Sequence, residues 1–102
     1  MIGETPYFEV TSDEFLDPIH GPIKDKEGFF KRILEFIEYN INTSYKITVL
    51  CYLVGPTGTV MEATLEDEGY YKSLKKCLSY YEKVEEYEKC VRIKQLIQLY
   101  EL

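Results

Sequence analysis

The chain has 102 residues, 45% of them apolar and 29% charged, with three cysteines and a formal net charge of −6. This length fits a single domain, and the balance of apolar and charged residues excludes wholesale disorder. No apolar run approaches the roughly 20 residues that cross a bilayer, and an acidic whole argues against nonspecific binding to phosphate backbones, where affinity comes from Lys and Arg releasing counterions.

Residues 1–23 read as an extended arm. Tyr7, Phe8 and Val10 suggest a short strand, and the run SDEFLDPIHGPI combines acids, two prolines and a glycine that forbid a stable helix. Phe15, Leu16, Ile19 and Ile23 are too apolar for a free tail, so the arm is expected to lie across the domain. Residues 25–41 predict a helix. Asp25 is positioned to cap it, and Phe29, Phe30, Ile33, Leu34, Ile37 and Ile41 recur at three- and four-residue steps.

Residues 45–65 predict a β-hairpin. The first half is dense in β-branched and aromatic side chains, and Gly55-Pro56-Thr57-Gly58 supplies the turn. Its first strand, 45–54, is apolar at alternating positions on both sides: Tyr45, Ile47, Val49, Cys51 and Leu53 on one, Leu50, Tyr52 and Val54 on the other. A strand of that kind is expected to be covered on both faces or to pair with another copy, which makes a homodimer through edge pairing or sheet packing an expectation. The GPTG turn lacks the Gly-Lys-Ser/Thr and following helix of a phosphate loop.

From residue 69 to 101 the pattern is a helical hairpin. Tyr70/Tyr71, Leu74, Cys77/Leu78, Tyr81 and Val84 form one apolar stripe, and Cys90, Ile93, Leu96/Ile97 and Tyr100 form a second. The polar pair Glu85-Glu86 predicts the break, with acidic residues favouring the positive end of the second helix's dipole. Charge is distributed unevenly. Residues 1–68 carry 13 acidic and 5 basic side chains, whereas 69–102 carry 5 acidic and 7 basic. The fold expected is therefore α+β: an N-terminal arm, one helix, a β-hairpin and a C-terminal helical hairpin.

Within that hairpin, the run EYEKCVRIKQLI resembles the UVR motif, the short helical hairpin named after the UvrB and UvrC nucleotide-excision-repair proteins. Glu86, Tyr87, Glu88 and Lys89 match the start of the family pattern and Ile97 its end. Cys90 and Val91 stand where two small residues are usual, Ile93 replaces a leucine, and Lys94 replaces an arginine. Gln95 stands where the family commonly has aspartate. Lysine cannot make the bidentate pairing that arginine makes, so the departure at 94 and 95 changes the motif's polar chemistry. With the preceding helix, the resemblance covers residues 69–100. It implies contact with another protein, either a second copy of the hairpin or a different partner. Tyr80, Tyr87, Val91 and Leu99 are candidates for an outward-facing apolar set, and Tyr80, Tyr87, Val91, Lys94 and Gln95 are the partner-binding residues it suggests.

No catalytic constellation emerges from the rest. His20, the only histidine, sits in the irregular arm, and Cys51, Cys77 and Cys90 lie inside apolar repeats without ligand spacing, which reads as inert buried thiols. The odd cysteine count and the lack of a signal peptide point to a reducing, cytoplasmic setting. The carboxylate runs Asp13/Glu14 and Glu66/Asp67/Glu68 read as solvated charge, the second also favoured by the helix it precedes. The function expected is that of a non-catalytic protein-interaction module or adaptor without metal or cofactor, docking through its helical hairpin. Two rivals remain: a small-ligand-binding or inhibitor protein with a tyrosine-lined pocket between sheet and helices, and a weak nucleic-acid binder using Lys72, Lys75, Lys76, Lys83, Lys89 and Arg92.

Overall fold

A computed structural model describes residues 3–12 and 23–100. Their elements follow in the order β1 (Tyr7–Glu9), α1 (Lys26–Ile41), β2 (Val49–Val54), β3 (Val60–Thr64), α2 (Asp67–Lys83) and α3 (Tyr87–Gln98). The fold is α+β, with one helix among the strands and a helical pair after them. By their contacts the residues group into two units, Met1–Leu65 and Glu66–Leu102. Phe15, Leu16, Ile19 and His20 lie outside the described residues.

In the first unit, α1 starts where the sequence places a cap. The Asp25 carboxylate accepts a hydrogen bond from the Gly28 N–H at 2.9 Å, one of the amide donors that a helix start leaves without an intrahelical partner. A Cβ at Gly28 would collide with that carboxylate, so glycine there makes room for the cap. The apolar repeat then buries Phe29, Phe30, Ile33, Leu34, Phe36 and Ile37. Asn42 closes the far end, donating from both its backbone and side-chain nitrogens to the Glu38 carbonyl.

The sheet has three strands in the order β1-β2-β3. β1 runs parallel to β2, with Phe8 opposite Leu53, and β3 returns antiparallel with Leu53 opposite Met61. The GPTG turn joins β2 and β3: Gly58 donates to the Gly55 carbonyl, Gly55 donates to Thr59, and Gly58 has φ +88°, a conformation that side chains with a Cβ resist. Phe8, Cys51 and Leu53 are buried on the face toward α1, where the Phe8 and Phe29 rings meet edge-on at 5.6 Å. On the opposite face Tyr7 stacks on Tyr52 with ring centroids 4.9 Å apart.

Two expectations for the first strand are corrected. β2 begins at Val49 rather than residue 45. Tyr45 is exposed in a turn, where its N–H bonds the Thr43 hydroxyl oxygen, and Ile47 is held by Asn40 instead of by a neighbouring strand. A register shift between Val49 and Cys51 also breaks the strict alternation, so Leu50 and Cys51 are both buried. Moreover, β2 is the central strand. Its edges are occupied by β1 and β3, which closes off pairing of two copies through it.

The irregular stretch of β2 is tied to α1 by two buried polar side chains. Arg32 donates from Nε to the Leu50 carbonyl at 2.8 Å, at the register shift, and its guanidinium lies 5.5 Å from the centre of the Phe36 ring. Burial pulls the Arg32 pKa below its ordinary value, while the neighbouring Cys51 and Glu35 push it back up. Asn40, fully buried, treats Ile47 as a strand would: its amide nitrogen donates to the Ile47 carbonyl at 2.8 Å, and its oxygen accepts from the Ile47 N–H at 2.9 Å. Both ties satisfy backbone groups that the sheet ladder leaves out.

In the second unit, α2 and α3 pack antiparallel. Tyr70 near the start of α2 meets Tyr100 just past α3 edge-on at 6.4 Å, and Lys89 near the start of α3 sits 4.9 Å above the ring of Tyr81 near the end of α2. The buried stripe is Tyr70, Leu74, Cys77 and Tyr81 on α2, with Cys90, Ile93 and Ile97 on α3. Tyr71, Leu78, Leu96 and Tyr100 lie half-buried at its margins. Val84, expected in the stripe, is exposed instead because it caps α2 where the chain leaves the helix.

Glu85 makes the turn. Its φ is +60°, and around it the Glu86 N–H bonds the Tyr81 carbonyl while the Glu85 N–H bonds that of Glu82. This is the paired closure that commonly ends a helix on a glycine, carried here by a residue with a Cβ, which disfavours that conformation.

Candidate protein-docking face

The hairpin leaves one side of α3 to solvent. With Cys90, Ile93 and Ile97 turned into the helix pair, the 3.6-residue period sends Tyr87, Val91, Lys94 and Gln95 outward. Tyr87 is 61% exposed, Val91 58%, and Leu99, just beyond the helix, 56%. Three large apolar side chains are thus exposed along one short segment. Lys94 stands among them as an exposed cation, and Gln95 adds an amide that can both donate and accept.

Tyr80 differs from the other four. It belongs to α2, is half-buried, and packs edge-on against Tyr81 at 5.1 Å. Thus Tyr87, Val91, Lys94 and Gln95 share the outer face of α3, whereas Tyr80 supports the helix pair from its margin. Lys89 is held inward as well. Its ammonium pairs with Glu86 at 2.9 Å, one turn earlier, in addition to its place above Tyr81. An ion pair of that exposure contributes little to stability, but it orients the first turn of α3. Lys72, Lys75, Lys76 and Lys83 lie away from the buried stripe of α2, with Lys75 over the Tyr71 ring at 5.2 Å.

A cavity of about 450 Å3 opens at the hairpin turn, lined by Glu85, Glu86, Tyr87, Glu88 and Lys89. Tyr87 is its single aromatic residue, and it opens widely to solvent. The thiols of Cys51 and Cys77 are pushed up by burial to about 12. At Cys51 the nearby Arg32 partly opposes that rise. A thiol so raised holds its proton at neutral pH and is a poor nucleophile or metal ligand. The Tyr100 hydroxyl is also raised, first by burial and then by the Asp67 carboxylate. Among the described residues, no group of three or more His, Cys, Asp or Glu side chains could hold a metal ion, and no helix is long and apolar enough to cross a membrane.

Sequence reasoning overlooked β3, where Val60 and Met61 are exposed at 54% and 44%. Their adjacent positions in the sequence gave no alternation from which a buried and a wet face could be separated. No protein-family model, curated protein or solved structure matches the chain.

Proposed function

We propose that the chain is a small non-catalytic protein-interaction module that docks a partner on the outer face of α3. The observation that carries this reading is the exposed set Tyr87, Val91 and Leu99 on one short segment, with Lys94 among them. Aromatic anchors surrounded by polar groups are what protein interfaces use. A face of this composition fits a partner surface that is apolar at its centre and carries carboxylates where Lys94 meets it. The UVR-like run from Glu86 to Ile97 supports the reading in kind, since hairpins of that type hold other proteins. Three free, buried cysteines support a reducing, cytoplasmic setting.

The test compares the intact chain with a Tyr87→Ala/Lys94→Glu double variant whose helical content is first matched by circular dichroism. A protein captured by the intact chain is purified and titrated against both. Affinity at least about tenfold weaker for the variant is the expected result, the size that loss of a central aromatic and reversal of one charge would produce. Equal affinity moves the docking face away from α3 and ends this reading.

A further inference from the structure

Among the described residues, β3 presents a second unpaired surface, of a different chemical kind. Its outer edge is defined by the hydrogen bonds of β2. Tyr52 donates to the Pro6 carbonyl and Val54 accepts from the Val10 N–H, so both turn their backbone groups toward the β1 side. Cys51 and Leu53 therefore face β3, where they pair with Ala63 and Met61. It follows that Val60, Glu62 and Thr64 turn their N–H and C=O groups to the outer edge. Among the described residues no strand pairs with that edge.

The side chains specify what would fit there. Met61 shares the face of Leu53, its cross-strand partner, while Val60 shares the opposite face with Val54. Both are substantially exposed. A helix or a flat surface laid on the sheet would cover only one of them, whereas a strand running beside β3 flanks both. Glu62, at the middle of the strand, then selects among strands. If a second copy paired antiparallel over the full length of β3, Glu62 of each would stand directly opposite the other, and like charges so placed repel. Registers that avoid this clash shorten the ladder to three residues of each strand's five.

We infer that the outer edge of β3 is a strand-addition site for an extended segment of another protein. That segment carries a basic side chain opposite Glu62, β-branched side chains on the Met61 face, and main-chain hydrogen bonds to Val60, Glu62 and Thr64. This surface belongs to the first unit, whereas the α3 face belongs to the second.

The experiment titrates the isotope-labelled full chain with a blocked peptide of sequence Thr-Val-Lys-Val-Thr and with the same peptide carrying Glu in place of Lys, following backbone amides by NMR. The amides of Val60, Glu62 and Thr64 are expected to shift and to exchange more slowly. The Lys peptide should bind about fivefold more tightly than the Glu peptide, as attraction replaces repulsion in one cross-strand pair. Glu62→Lys, a change at an exposed position, should reverse that preference. The assignment is overturned if neither peptide binds, if both bind equally, or if the shifts fall on α3 and leave β3 unmoved. Dimerisation of the unaltered chain through β3 would also overturn it, by making a second copy the occupant.

Discussion

The two units of this chain are held together by different means. In the first, a single helix is laid against a short sheet, and phenylalanines fill the core: Phe8, Phe29, Phe30 and Phe36 are all buried. That arrangement leaves backbone groups at the irregular lead-in of β2 without ladder partners, and Arg32 and Asn40 supply them from α1. In the second unit, two antiparallel helices satisfy their own backbones internally. Its largest fully buried side chain is a tyrosine, Tyr81, and the turn at Glu85 is followed by the surface ion pair of Glu86 with Lys89. A helix pair needs apolar stripes and a turn, while a helix on a sheet also needs polar side chains wherever the ladder lapses.

The largest expected effect comes from the aromatic core of the first unit. Phe36→Ala removes a fully buried ring and should cost about 3–5 kcal/mol, read from the shift of the urea midpoint. A loss near 1 kcal/mol would mean that the site collapses to fill the space. Next comes the polar tie. Asn40→Ala strips both hydrogen bonds from Ile47 and should destabilise by about 2 kcal/mol, because a donor and an acceptor lose their partners together. If the change proves neutral, water replaces the amide and the tie does not distinguish the units.

In the hairpin the expected sign reverses. Glu85→Gly relieves a side chain held at φ +60° and should stabilise the protein by about 1 kcal/mol, measured by the same unfolding curve. Destabilisation would show that the Glu85 side chain contributes more than its backbone conformation costs.

The smallest effect at neutral pH concerns one thiol from each unit. Burial pushes the folded Cys51 and Cys77 thiols up to about 12 from an ordinary 9.0, so the unfolded chain releases these protons first. Their contribution to stability is complete below about pH 9 and is lost as pH rises toward 12. A Cys51→Ala/Cys77→Ala variant should therefore show a shallower fall in urea midpoint over that alkaline range. An unchanged slope would assign the fall to other groups.

Much of the secondary structure could be read in the sequence because it depends on local periodicity. The stripe from Phe29 to Ile37, the Asp25 cap, the GPTG turn and the break at Glu85-Glu86 each depend on neighbours within a few residues. Of the outward apolar set expected on this hairpin, Tyr87, Val91 and Leu99 are exposed, and with Cys90, Ile93 and Ile97 facing inward the structure turns Lys94 and Gln95 to the same side of α3. Tyr80, expected to face outward, is half-buried instead, because it packs edge-on against the buried Tyr81 beside it.

What tertiary structure alone decided involves residues far apart in the chain. The sequence suggested a strand at Tyr7–Val10 but could not say that it would run parallel to β2 and make that doubly apolar strand the centre of the sheet. Nor could it assign Arg32 and Asn40, polar residues of α1, to carbonyls 18 and 7 residues away. The register shift at Leu50 and the open edge of β3 arise from pairing between strands, so no local pattern records them. By itself the sequence determined where helices and turns form, because those depend on short-range sterics and spacing. Pairing partners, the edge left free, and the buried polar ties were decided by long-range packing, where each backbone group had to find an acceptor or donor in the folded chain.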